Sequence, residues 1–115
     1  MTASAEVPES QRLLIDLCLS HLVMFHWRTP GTMLISRRGI GAILDELDAR
    51  GIRILGLEGF ELDGNVIHPR IDLIYDADRL PGFPSPQDFI ATWPPDVWID
   101  VTIELGCGWR AEPVG

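Results

Sequence analysis

The sequence has no lysine, only two cysteines and no long apolar run. Its longest uninterrupted apolar stretch, Leu22 to Phe25, is far shorter than the about 18 residues that a membrane-spanning helix needs. Residues 1–10 also lack the basic start and apolar centre of a secretory signal peptide. We therefore expect a protein of the cytoplasm with no membrane partner.

The two cysteines, Cys18 and Cys107, lie 89 positions apart and form no Cys-x-x-Cys pair. Distant single cysteines in a cytoplasmic chain are typical of free thiols. Cys18 and His21 have a spacing that could form half of a zinc site, but no second close pair accompanies them. The sequence therefore predicts neither a metal site nor a cofactor.

Sequence signatures of catalysis are also absent. The chain has no Gly-x-Ser-x-Gly, no phosphate-binding glycine loop and no His-Glu-x-x-His. Two routes to a small enzyme stay open. One is a reactive thiol at Cys107, which would need a nearby base or positive charge. The other is an acid–base pair among the carboxylates Glu58, Glu61, Asp72, Asp76 and Asp100. The simpler expectation is a protein that is not an enzyme.

Acidic residues are the most informative feature that the sequence does contain. The 115 residues are 46% hydrophobic and 23% charged, which indicates one globular domain rather than a disordered chain. Residues 1–57 carry six acids and six arginines, whereas residues 58–104 carry ten acids and two arginines, which accounts for the whole net charge of −8. Such a field repels nucleic acid and anionic lipid and attracts a basic protein.

Apolar periodicity predicts three helices. The first covers residues 9–20, and the third starts with Ser85 as cap and Pro86 in the first turn. The second has an apolar stripe at i, i+3, i+4 and i+7, and we expect Ser36 to cap it and Gly51 to end it. That stripe consists of Ile40, Ile43, Leu44 and Leu47.

Short apolar segments predict strands at 22–27, 33–35, 52–57, 60–62, 66–68 and 96–105. Asp63-Gly64 predicts a hairpin, and we expect Pro69 to end its ladder. Residues 71–75 are compatible with a strand or a helix. The order of elements predicts one α+β domain over residues 1–115, a two-layer sandwich in which helices cover one face of a mixed sheet of about five strands. Residues 1–8 and 106–115 are expected to be loose termini.

Strict alternation in the final strand predicts an apolar face and an acidic face that includes Trp98. A large aromatic side chain on an acidic face needs a cover, which a partner can supply. The alternative is an internal cover from residues 80–86 or from the tail that contains Trp109. We expect Trp93, Phe83 and Phe89 to flank this tryptophan.

In its size, its acidity and its lack of catalytic signatures the chain resembles the small immunity proteins of bacterial toxin systems. That resemblance implies a protein that binds a basic toxin domain and blocks its active site, and it carries over no functional residue. The leading hypothesis is a non-enzymatic inhibitor that docks a basic partner; a homodimeric module and the small enzyme are the alternatives. The predicted partner-binding residues are Glu58, Glu61, Asp63, Asp72, Asp76, Asp96, Trp98, Asp100 and Glu104.

Overall fold

The computed structural model describes residues 8–28, 32–78 and 85–105. These residues form, in chain order, α1 (Glu9–His21), β1 (Phe25–Arg28), β2 (Thr32–Ser36), α2 (Ile40–Ala49), β3 (Arg53–Asp63), β4 (Val66–Asp76), α3 (Pro86–Ile90) and β5 (Trp98–Glu104). The strands make one sheet in the order β1-β2-β5-β3-β4. The last of the five strands therefore lies at the centre of the sheet.

The predicted two-layer α+β arrangement with five strands is confirmed, but the sheet is antiparallel rather than mixed. Every described pair of neighbouring strands runs antiparallel. The chain does cross from β2 to β3 through α2, and these two strands point in the same direction. Because β5 lies between them, the crossover produces no parallel neighbours among the described strands.

One apolar core joins the helices to one face of the sheet. Helix α2 buries its predicted stripe completely, and α1 buries Leu13, Leu14, Leu17 and Cys18. These side chains belong to the same cluster as the inward-facing residues of the strands, among them Ile35, Leu57, Leu73, Tyr75, Ile99, Val101 and Ile103. The opposite face of the sheet is not covered by any described helix, and we call it the open face. No helix in the described parts of the chain is long and apolar enough to cross a membrane.

The ends of the helices match the sequence prediction in part. The Ser85 hydroxyl accepts a hydrogen bond from the Asp88 N–H at 3.2 Å, and Pro86 opens α3 as expected. Gly51 takes the predicted left-handed conformation after α2. Ser36, however, does not cap α2. Its hydroxyl accepts from the Arg38 N–H because residues 37–39 form a turn before the helix begins at Ile40.

The predicted hairpin forms between β3 and β4. Asp63 pairs with Val66 across a two-residue turn in which Gly64 has a φ of 62°. The prediction that Pro69 ends the ladder is wrong, because β4 continues to Asp76 and residues 71–75 are strand. Pro69 lies on an edge strand, where its missing N–H can face away from the sheet without breaking a ladder. Strand β3 likewise joins two segments that the sequence predicted separately.

The β3–β4 pairing contains one large irregularity. Glu58 pairs with Ile74, but Gly59 pairs with Arg70, so residues 71–73 are extra on β4. The Leu73 side chain packs against Gly59, where an added Cβ would lie 2.8 Å from the Leu73 Cβ. The bulge therefore depends on glycine at position 59.

Candidate functional site

The open face of the sheet carries the acidic side of β5, as the alternation predicts. Ile99, Val101 and Ile103 are buried in the core, whereas Trp98 and Asp100 are half-buried on the other side. Thr102 and Glu104 continue this side and are exposed. The described helices all pack on the opposite face, so they do not cover these side chains.

Four residues at the centre of the open face form what we call the central patch: Glu58, Phe60, Trp98 and Asp100. Phe60 pairs with Trp98 across β3 and β5, and Glu58 pairs with Asp100. Residues two apart on a strand share a face, so two neighbouring carboxylates adjoin two neighbouring aromatic rings. Directly opposed cross-strand side chains are close enough to interact.

The two carboxylates of the central patch repel each other. Burial, and to a smaller extent the negative charge of Glu58, together raise the pKa of Asp100 to about 6. No arginine or histidine of the described residues forms an ion pair with either carboxylate. Like charges directly opposite each other destabilise a sheet. Above about pH 6, Asp100 therefore adds an uncompensated negative charge to the central patch.

Trp98 has a ring partner that the sequence did not indicate. The ring of His26 on β1 meets it edge to face, with centroids 4.5 Å apart. Leu34, the cross-strand partner of His26, is only 1% exposed although it lies outside the core formed with the helices. A second, smaller apolar cluster thus lies on the open face beside the carboxylates.

The expectation that Trp93 and Phe89 flank Trp98 is wrong. Phe89 packs edge to face on Tyr75 and Trp93, with centroids 5.2 and 6.1 Å away, and both neighbours are buried in the helix-side core. They face the core because α3 lies in the helix layer. Phe83, Trp109 and most of the expected internal cover lie outside the described residues.

Four of the predicted site residues are already paired with arginines of the same chain. Arg70 binds Glu61 at 2.7 Å and Asp72 at 2.9 Å, which lowers the pKa of Asp72. The other two pairs join Asp96 to Arg38 at 3.1 Å and Glu104 to Arg53 at 3.6 Å. A basic partner would have to compete with these arginines. These acids are therefore weaker candidates than the central patch.

The remaining two predicted residues, Asp63 and Asp76, lie apart from each other. Asp63 is at the hairpin turn, away from the patch. Asp76 accepts a hydrogen bond from the Asp78 N–H and lines a shallow cavity of about 290 Å³ together with Glu58 and Thr102. The structure thus brings Asp76 towards the central patch and leaves Asp63 outside it.

The one thiol among the described residues is that of Cys18. Cys18 is fully buried in α1, and burial raises its pKa to about 11, so its thiol is unreactive at neutral pH. The described ranges contain no group of three or more histidine, cysteine or acidic side chains placed to hold a metal ion. Cys107, the other candidate thiol, lies outside them.

Sequence reasoning missed Phe60 and His26 as members of this face. Phe60 follows Glu58 by two residues, so alternation along β3 was a usable signal. The position of His26 depends on the order of β1, β2 and β5 in the sheet, which local periodicity does not reveal.

These observations define a two-layer α+β protein with an open acidic sheet face that contains aromatic residues. No protein family, curated protein or solved structure was found to match the chain.

Proposed function

We propose that the chain is a non-enzymatic binding protein of the cytoplasm that docks a basic protein on the open face of its sheet. We propose further that the partner is a toxin domain, which the chain neutralises in the manner of the small immunity proteins. The central patch is the observation that carries this proposal.

Opposed carboxylates beside aromatic rings suit a cationic side chain. A positive group from a partner would relieve the repulsion between Glu58 and Asp100, while Trp98 and Phe60 would supply apolar contact. Arginine fits this combination better than lysine, because its planar guanidinium binds carboxylates and also stacks on aromatic rings. The proposed partner therefore presents an arginine to this patch.

The acids around the central patch support the same proposal through their long-range field. Residues 58–104 carry the net charge of the chain, even though several of their acids are paired with arginines. A field of one sign accelerates the encounter with an oppositely charged protein, and salt weakens that effect. Binding should thus be strong at low salt and fall steeply as salt is added.

Affinity capture from host-cell lysate with three baits tests the proposal. The baits are the wild-type chain, a central-patch variant (Glu58→Gln with Asp100→Asn), and a matched variant that loses two exposed acids from the helices (Asp48→Asn with Asp88→Asn). The two variants have equal net charge. We expect the wild-type and helix-variant baits to retain the same basic protein, and the patch variant to lose it. Binding should weaken between about 50 mM and about 500 mM salt.

Three outcomes would count against the proposal. They are retention of the partner by the patch variant, binding that salt does not change, and a column that retains no basic protein. If the patch variant and the helix variant both lose the partner to the same extent, the net charge of the bait explains binding, and a specific role of the central patch is contradicted.

A small acid–base enzyme is the second candidate, because one observation favours it. Asp100 has a pKa of about 6 beside Glu58, close to the range of catalytic acids, and Glu58 also lines a shallow cavity. Assays of the purified protein with chromogenic glycosides and esters test this candidate. Turnover that Asp100→Asn abolishes would support it, and turnover equal in both proteins would refute it.

A further inference from the structure

Exposed apolar side chains concentrate at one edge of the sandwich. Of the seven large apolar side chains that are exposed in the described residues, four fall within residues 19–27. We call these four the edge patch: Leu19, Leu22, Met24 and Trp27. They lie along the C-terminal end of α1 and the edge strand β1. Trp27 Nε1 donates to Gln11 Oε1 at 3.2 Å, which joins this strand to α1 along the same edge.

The two edges of the sheet differ in how well they are guarded. The β4 edge carries Pro69, the bulge at 71–73 and the Arg70–Asp72 ion pair, all of which hinder pairing with another strand. In the described residues, β1 has neither a proline nor a bulge and pairs only with β2. Unguarded edges offer free N–H and C=O groups to a further strand.

Leu22 adopts a conformation that its side chain does not favour. It ends α1 with φ 58° and ψ 42°, and no other non-glycine residue in the described ranges has a positive φ. Glycine suits this position best, yet the leucine side chain is 90% exposed and contributes almost nothing to the core. The left-handed conformation closes α1, since the N–H groups of Leu22 and Val23 donate to the carbonyls of Leu19 and Cys18 at 3.4 and 2.8 Å, and it leaves the leucine side chain in solvent.

Charge indicates which partner fits this edge. Residues 17–44 contain three arginines and no aspartate or glutamate, although the chain carries a net charge of −8. Two copies can therefore meet along β1 without bringing carboxylates of this segment together. Arg12 and Asp16, four residues apart on the exposed side of α1, are complementary to a second, antiparallel copy of that helix.

We propose that the edge patch is the interface of a symmetric homodimer of this chain. Strand β1 lies antiparallel to β1 of the second copy, so that the two sheets continue into one. Arg12 of each copy faces Asp16 of the other, and Leu22 and Met24 of each copy pack against the other copy at the two ends of the paired strands. This interface does not include the central patch, so it does not rest on the function proposed above.

Sedimentation velocity of the full chain, from about 1 µM to about 500 µM at physiological salt, tests the dimer. We expect a shift from monomer to dimer with rising concentration. Leu22→Gly and Met24→Lys should each weaken the dimer at least about tenfold. Ile71→Lys, at an 84% exposed position on the opposite edge, is the matched control and should leave it unchanged.

Leu22→Gly also separates loss of contact from loss of folding. Because glycine relieves the left-handed strain, this variant should melt at the same or a higher temperature than the wild type when both are measured as monomers. A wild-type chain that stays monomeric throughout the concentration series would overturn the proposal. A dimer that Leu22→Gly and Met24→Lys leave intact, or that Ile71→Lys dissociates equally, would overturn it as well.

Discussion

Replacing Asp100 with asparagine should stabilise the protein at neutral pH. The wild-type carboxyl group is half-buried beside Glu58, and burial raises its pKa from the ordinary 3.8 to about 6. The folded state therefore holds this proton more tightly than the unfolded chain does. Stability falls as the pH rises from about 4 to about 6, and the full cost of the buried charge applies above that range.

The size of the effect follows from the same two pKa values. A difference of roughly two pH units corresponds to an upper limit of about 3 kcal/mol. Because the side chain keeps contact with solvent, screening reduces this to about 1–2 kcal/mol. Asparagine keeps the shape and removes the charge, so Asp100→Asn should gain about 1–2 kcal/mol at pH 7.5 and close to nothing at pH 4. Glu58→Gln should have a smaller effect, since burial outweighs the Glu58 charge as the cause.

Urea denaturation between pH 4 and pH 8, followed by tryptophan fluorescence, measures this difference directly. Asp72→Asn serves as the control with the opposite sign, because Arg70 lowers the pKa of Asp72 and removing that charge should destabilise the protein at neutral pH. The reasoning is refuted if Asp100→Asn is less stable than the wild type at pH 7.5, or if the difference between them does not change with pH. A carboxyl titration of Asp100 by NMR should have its midpoint near pH 6.

Two further predictions concern packing. Gly59→Ala should lower the free energy of unfolding by about 1–3 kcal/mol, since the new Cβ would lie 2.8 Å from the Leu73 Cβ. Gly41→Ala, which meets nothing within 4 Å in helix α2, should instead raise it by up to about 1 kcal/mol, and equal effects in urea titrations would contradict the bulge geometry. In a Cys107→Ser background, buried Cys18 should react with a thiol reagent only as fast as the protein unfolds, and rapid modification in native buffer would show that the core opens locally.

The predictions from sequence succeeded where the signal was local. The stripe of α2, the cap of α3 and the turn at Gly64 each depend on residues within a few positions of one another, and all three are present in the structure. Ser36 failed as a cap because hydroxyl groups bond equally well within a preceding turn. Pro69 failed as a strand end because its effect depends on whether the strand is an edge, which is a property of the whole sheet.

The candidate site was predictable only along each strand separately. Alternation in β5 predicted that Trp98, Asp100 and Glu104 share a face, and they do. Which acids lie next to each other depends on the pairing between β3 and β5, elements that are far apart in the sequence. For the same reason the sequence did not predict that arginines pair with these acids, because the ion pairs from Arg38 to Asp96 and from Arg53 to Glu104 join distant segments.

The central position of β5 has a consequence for the order in which the chain folds. The β1–β2 and β3–β4 pairs are local and can form early, but the two halves of the sheet join only when β5 enters between them. During synthesis the ribosome releases β5 after the other four strands, so the inner edges of β2 and β3 stay unpaired until that moment. Completion of the sheet is thus a late event, and the growing chain exposes two strand edges to aggregation until β5 emerges.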